Sequence, residues 1–245
     1  MKKPSWGVRF IGVLGEILLT LGVIFLLFVA WELWYTNVDA QKKSDEVTQS
    51  VQQQFSAKDS QTVTQKDSGS YGKAPVTALH LQGQTFGIMY VPRFGADWTR
   101  PITNGVGKNV LNNLGVGHYP STAMPGELGN FAVAAHRQTH GQAFWDMDKL
   151  QAGDRVFVET EQGYYTYKWV RTDVVLPTQN EVLDPVPYKN GEKPTQSMLT
   201  MTTCHPPYST EKRMVAFATL ESWRPLEAGP PPEIAQTVAN TMRRG

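Results

Sequence analysis

The chain has 245 residues and carries 23 basic and 22 acidic side chains, for a net charge of +1. So even a balance offers no electrostatic footprint for nucleic acid. No glycine-rich phosphate loop, Cys-x-x-Cys pair, His-Glu-x-x-His or Gly-x-Ser-x-Gly motif occurs, which sets aside the common nucleotide-binding, zinc-protease and α/β-hydrolase classes.

Residues 10–31 hold a single charge, Glu16. At 1.5 Å per residue they reach about 33 Å, enough for a bilayer core. Lys2, Lys3 and Arg9 precede the run, so the positive-inside rule puts that end in the cytoplasm and the bulk of the chain outside. Trp31, Trp34 and Tyr35 supply an aromatic belt at the outer interface. The apolar run is too long for a cleavable signal peptide and no Ala-x-Ala site ends it. Residues 1–35 therefore read as a cytoplasmic N-terminus and transmembrane anchor. Over 36–75 the pattern is polar. Val47, Val51 and Phe55 recur at i+4 and predict a short helix, while 58–75 has the composition of a flexible linker.

From 76 to 224 short alternating runs punctuated by Gly and Pro predict an all-β domain. Strands are expected over 87–92, 101–106, 130–136, 155–160, 164–176, 196–204 and 213–223. Residues 109–114 suit a short helix stopped by Gly115. Residues 225–245, with Pro230, Pro231 and Pro232, read as a Pro-rich tail, exposed or serving as a docking extension.

Cys204 is the single cysteine and lies on the outer side of the anchor. Extracytoplasmic cysteines usually pair into disulfides, and an unpaired thiol there is liable to oxidation. Chemistry would justify keeping it; the bland alternative is a small buried apolar residue. A cysteine nucleophile needs a proton carrier and a donor for the oxyanion. Of five histidines, His136 closes the run Phe131-Ala132-Val133-Ala134-Ala135, so a rigid strand would hold it at its end. His205 adjoins Cys204, and strand alternation turns it to the opposite face. His80, in a polar lead-in, and His118, in a Gly-rich turn, read as structural or solvent-facing. His140 follows His136 by four, but the pair spans a strand end and Gly141 with no third ligand in view. No metal and no cofactor is expected. Arg213 lies beyond the eight residues 205–212 and faces Cys204 if the flanking strands pair antiparallel. Alternation sends Lys212 to the other face.

The run Thr200-Met201-Thr202-Thr203-Cys204, with His136 before it and Arg213 after it, resembles the sortases, membrane-anchored cysteine transpeptidases of Gram-positive bacteria. Their signature is commonly Thr-Leu-x-Thr-Cys; Met201 replaces the leucine, an apolar swap of similar volume. The resemblance covers roughly residues 80–223 and the anchor. Gly117-His118-Tyr119-Pro120, Ala123-Met124-Pro125-Gly126, Gly129-Asn130-Phe131 and Cys204-His205-Pro206 look like class E, the actinobacterial housekeeping group.

That resemblance implies a closed eight-stranded sortase-type β-barrel with short helices, behind an N-terminal transmembrane helix. It implies cleavage of a carboxy-terminal Leu-Ala-x-Thr-Gly or Leu-Pro-x-Thr-Gly sorting signal between Thr and Gly, and attachment of secreted proteins to a peptidoglycan precursor. Cys204 would attack the Thr carbonyl and form a thioacyl enzyme. His136 would protonate the leaving amine and deprotonate the incoming one, and Arg213 would hold the substrate backbone and the oxyanion. Tyr119 matches a tyrosine linked with Ala at the second signal position, and Thr202 and Thr203 are expected to contact substrate. The implied partners are secreted proteins bearing the signal, an amine of lipid II or peptidoglycan, and the membrane. With ordinary pKa values for thiol and imidazole, roughly 1% of molecules would hold the thiolate–imidazolium pair at pH 7.

Three rivals stand beside this reading. A pilus-polymerising sortase would carry an Asp-Pro-aromatic lid motif, absent from 36–75. An L,D-transpeptidase would want a Ser-His-Gly-Cys type signature, which the context of Cys204 lacks. The joint presence of His136, Cys204 and Arg213 speaks against a catalytically idle, membrane-tethered binding module. The choice between Ala and Pro and the identity of the acceptor amine stay open.

Overall fold

The structure, a computed structural model, describes residues 6–59 and 71–243. Most of the linker expected over 58–75, and the basic pair Lys2 and Lys3, lie outside the described residues. Helix α1 runs from Trp6 to Asp59 without interruption. No Pro, and after Gly22 no Gly, breaks its hydrogen-bond ladder. Fifty-four residues make a rod of about 80 Å. The separate short helix expected within 36–75 is thus the far end of α1 itself.

The two halves of α1 bury different things. In the 10–31 segment the apolar side chains from Phe10 to Trp31 stand exposed, and α1 is the one helix among the described residues long and apolar enough to cross a membrane. Further on, Ala40, Ser44, Thr48, Val51, Gln52 and Phe55 are buried. Spacings of three and four put them on one stripe. Three of the six are polar, so apolar periodicity alone showed only a fragment of that stripe.

The stripe packs on a barrel of eight strands. These are β1 (Thr85–Tyr90), β2 (Thr99–Asn104), β3 (Val116–His118), β4 (Gly129–Ala134), β5 (Arg155–Thr160), β6 (Gly163–Val175), β7 (Ser197–His205) and β8 (Lys212–Arg224). The closed order is β1-β2-β3-β4-β7-β8-β6-β5. The pairs β2/β3 and β4/β7 are parallel and the rest antiparallel. Closure leaves no unpaired sheet edge. A four-residue helix α2 (Lys108–Leu111) precedes β3.

β3 corrects the expectation of a turn around His118. Three residues are too few to show alternation, and Gly117 is there because its backbone passes so close to another segment that a Cβ would stand 2.3 Å from the Gly105 carbonyl oxygen. His118 is fully buried, with Nδ1 2.9 Å from Asn104 Oδ1. Its burial pushes the imidazole down to about 4.

Met89, Val116, Phe131, Val133, Tyr165, Leu199, Met201 and Ala216 pack inside the barrel. Ile88, Tyr90, Phe157 and Tyr164 point outward to Val51 and Phe55 of α1 and to Leu226, Ile234 and Val238. β1 is therefore buried on both faces. Each such apolar side chain contributes about 1.5–3 kcal/mol when fully buried. The Pro-rich tail is a docking extension: helix α3 (Ala235–Arg243) follows the prolines and packs on α1. Thr237 Oγ1 donates to the Ala96 carbonyl at 2.7 Å.

Candidate active site

β4, β7 and β8 are neighbours in the closed order, so their ends share one rim. Parallel pairing of β4 with β7 runs from Gly129↔Ser197 to Ala134↔Thr202 at a constant offset. Two contacts carry that offset past the strand end: Thr203 Oγ1 donates to the Ala135 carbonyl at 2.8 Å, and Arg137 Nη1 lies 2.9 Å from His205 Nδ1. His136, between them, stands level with Cys204. On the other side Cys204 pairs with Arg213 in the antiparallel register of β7 and β8. The strand register thus brings together His136, Cys204 and Arg213, all half-buried.

His136 is held at three points. Its carbonyl accepts from Phe144 N at 3.0 Å, its Nε2 lies 2.8 Å from Asn112 Oδ1, and its ring packs on His140 with centroids 5.2 Å apart. Burial first, and the neighbouring His140 second, lower its pKa from the ordinary imidazole value. The neutral ring, the form able to accept a proton, therefore predominates at pH 7 more strongly than the roughly 76% of an unperturbed histidine. His140 has φ 50°, so the pair does not lie on a helix face. Among the described residues no group of three or more His, Cys, Asp or Glu is placed to hold a metal ion.

Arg213 Nη1 donates to the carbonyls of Thr210 and Lys212, each at 3.0 Å. These two bonds fix the guanidinium at one corner of its fork. Among the described residues its Nε and Nη2 donate to no protein acceptor, which leaves that edge for a ligand.

His205 faces away from the site, as alternation requires. An arginine can only donate, so Arg137 keeps His205 Nδ1 unprotonated. Burial, then Arg137 and Lys212, lower the His205 pKa. Arg137 is only 3% exposed and also pairs with Asp148 at 3.2 Å. His80 stacks on Phe86 with centroids 5.3 Å apart, a structural placement.

Tyr119 reaches the same strand end. Its hydroxyl lies 3.1 Å from Thr202 Oγ1, whose own proton goes to the Val133 carbonyl at 3.3 Å; the tyrosine is then the donor. Thr202 and Thr203 are buried, and both hydroxyls bond to carbonyls of the β4 segment. They tie β7 to β4 and so hold the register that levels His136 with Cys204.

Sequence reasoning missed Asn112, Arg137 and a clasp from α1. Asn37 Oδ1 accepts from Gly141 N at 3.0 Å, while Arg100 Nη2 donates to Gln41 Oε1 at 2.5 Å and to the Gly141 carbonyl at 3.2 Å. Helix α1 thereby grips the loop following His136. Asn37 is 104 residues from its partner and Asn112 is 24 from His136, distances at which no local pattern signals a contact.

Comparison with known proteins gives the family and the fold. Residues 89–221 match the family model of the sortase domain. The chain is 35% identical over 237 residues to sortase SrtE1 of Streptomyces coelicolor, a match that covers 94% of this chain and 62% of that relative, less than two thirds of its length. The fold is similar to the structure of sortase E from Streptomyces avermitilis, with TM-score 0.58, 40% identity, and coverage of 63% of this chain and 99% of that one. It is also similar to the crystal structure of Sortase E1 from Streptomyces coelicolor with a tripeptide in the active site, at TM-score 0.57, 36% identity and the same coverage.

Proposed function

The chain belongs to the sortase family, and from that membership we propose that it is a membrane-anchored cysteine transpeptidase of class E type. It cleaves a Leu-Ala-x-Thr-Gly or Leu-Pro-x-Thr-Gly signal between Thr and Gly and transfers the protein to an amine of lipid II or peptidoglycan. The observation that carries this reading is the strand register that levels His136 with Cys204 on one side and pairs Cys204 with Arg213 on the other. The tripeptide in the active site of the Streptomyces coelicolor relative supports a peptide as substrate.

The chemistry follows from the side chains at the rim. Neutral His136 takes the Cys204 proton, and the sulfur attacks the Thr carbonyl carbon. Negative charge gathers on the carbonyl oxygen, where the unoccupied edge of the Arg213 guanidinium stabilises it. The C–N bond to Gly breaks, the proton on His136 goes to the departing amine, and a thioester remains on Cys204. An incoming amine attacks that thioester and gives its proton to His136, and the thiol is restored. Tyr119, held by Thr202 two residues before the nucleophile, forms part of the wall that receives the second signal position.

Full-length enzyme in detergent is incubated with quenched Leu-Ala-x-Thr-Gly and Leu-Pro-x-Thr-Gly peptides. Cleavage between Thr and Gly is expected, with a thioester on Cys204 detected by mass. No cleavage of either peptide and no adduct would remove the proposal. The N-terminus is proposed to be cytoplasmic and the barrel external. Protease added to intact protoplasts is then expected to release a fragment beginning within 58–75; complete protection of the barrel would overturn that orientation.

A further inference from the structure

Asn112 is half-buried in the turn between α2 and β3, outside the Cys-His-Arg set. Its backbone N–H donates to the Lys108 carbonyl at 2.9 Å, and the next residue is tied down by Asn113 Nδ2 donating to Asn109 O at 3.0 Å and by Lys43 Nζ of α1 at 3.4 Å from Asn113 Oδ1. The turn is thus braced on both sides, and from it the Asn112 side chain meets His136 Nε2 at 2.8 Å.

A neutral imidazole carries one proton, on one of two nitrogens, and the partner of the first decides which lone pair remains on the second. An amide oxygen only accepts, so Asn112 Oδ1 at Nε2 requires the proton there. Among the described residues no hydrogen bond occupies His136 Nδ1. We propose that Asn112 is a positioning residue that holds His136 in the Nε2–H tautomer and so makes Nδ1 the nitrogen that exchanges protons with Cys204 and the reacting amines. The inference rests on the transpeptidase reading above for its chemistry, but the tautomer itself does not depend on it. The ionisable groups around the ring are His140 on its own loop, Cys204 and Arg213 across the ladder, and Lys43 of α1 beyond Asn113.

The test compares wild type, Asn112→Ala and Asn112→Asp as full-length chains in detergent, labelled with 15N-histidine. In wild type the nitrogen shifts of His136, assigned by comparison with His136→Ala, should report Nε2–H at pH 8. Asn112→Ala should lose that preference and lose about tenfold in kcat/KM on a Leu-Ala-x-Thr-Gly peptide, the effect of one ordinary hydrogen bond. Asn112→Asp keeps an acceptor at Nε2 and adds negative charge. It should therefore restore the tautomer, recover part of the rate and move the acid limb of the pH profile upward. A residue that merely packs the turn would move none of these. Nδ1–H in wild type, or unchanged tautomer and profile in Asn112→Ala, would overturn the inference. Should all variants including wild type fail to cleave while the tautomer follows the expected pattern, the function falls and the role of Asn112 in orienting the ring stands.

Discussion

The rim bearing Cys204 and the flank receiving α1 lie on one barrel but use polar groups in opposite ways. At the rim, His136, Cys204 and Arg213 are half-buried, and their relative placement comes from backbone pairing across β4, β7 and β8. At the flank, Glu159 is fully buried. Gln52 of α1 donates to it at 2.8 Å, and the single Tyr90 hydroxyl lies in hydrogen-bond reach of both Glu159 Oε2 and Gln52 Oε1, the latter at 2.7 Å. The rim can lose a side chain with little damage to the fold, because its geometry lies in the ladder. The flank cannot, because each member of the network leaves its partners buried and unpaired, at about 1–3 kcal/mol per group. The proposed chemistry thus sits where removal is expected to be tolerated, and α1 is docked where it is not.

The sharpest way to expose this contrast is Cys204→Ala. It should abolish peptide cleavage and thioester formation, since the chain holds no second thiol, while thermal unfolding stays within a degree or two of wild type. A large drop in Tm would mean that the rim also carries the fold. Arg213→Lys comes next. A lysine offers a point charge in place of a planar fork, so kcat should fall about 10²–10³-fold, as on removing an oxyanion donor. Near-wild-type turnover would transfer that role to backbone N–H groups near Cys204.

The flank answers to pH. Burial raises the Glu159 carboxyl to about 7, with Tyr90, Gln52 and Tyr164 acting in the other direction. Its folded pKa lies above its ordinary value of 4.5, so the native state binds more protons between the two and stability falls as pH rises through that window. His118 has the opposite sign. Its pKa is lowered from 6.5 to about 4, so the native state binds fewer protons there and stability rises with pH between them. Each contribution is about 3 kcal/mol, and between pH 4.5 and 6.5 they largely cancel. Glu159→Gln removes the carboxyl titration. Relative to wild type, its unfolding free energy in urea should gain about 3 kcal/mol between pH 4.5 and 7, with kcat unchanged at pH 7. Parallel curves for the two proteins would show that Glu159 does not titrate in that window.

The smallest expected effect is Tyr119→Phe. Loss of the hydroxyl that meets Thr202 should change the kcat/KM ratio of Leu-Ala-x-Thr-Gly to Leu-Pro-x-Thr-Gly peptides by about two- to twelvefold. An unchanged ratio would leave Tyr119 as a packing residue of the β3–β4 turn.

The candidate site was more legible than the flank because of where its information resides. A lone cysteine at the end of one strand, an arginine beginning the next and a histidine closing an apolar run are each local patterns, and period-two alternation sorted Cys204 from His205 and Arg213 from Lys212. Seven of the eight strands were expected close to their observed bounds, while β3 was too short to alternate. The helical continuity of α1 was missed because Ser44, Thr48 and Gln52 share its buried stripe with Ala40, Val51 and Phe55. A hydropathy pattern treats those three as solvent-facing, though Gln52 meets its partner Glu159 across 107 residues.

Sequence by itself determined the length and apolarity of the 10–31 segment, the all-β texture of the domain and the candidacy of Cys204, His136 and Arg213 for the site, since each is written in local composition, motif or strand period. Tertiary structure alone decided that the anchor helix runs on to grip the loop after His136, that the tail returns to pack on it, and that Asn112 meets the His136 ring. Those outcomes depend on hydrogen bonds between residues far apart in the chain, and a polar side chain shows its partner only once folding has excluded water from both.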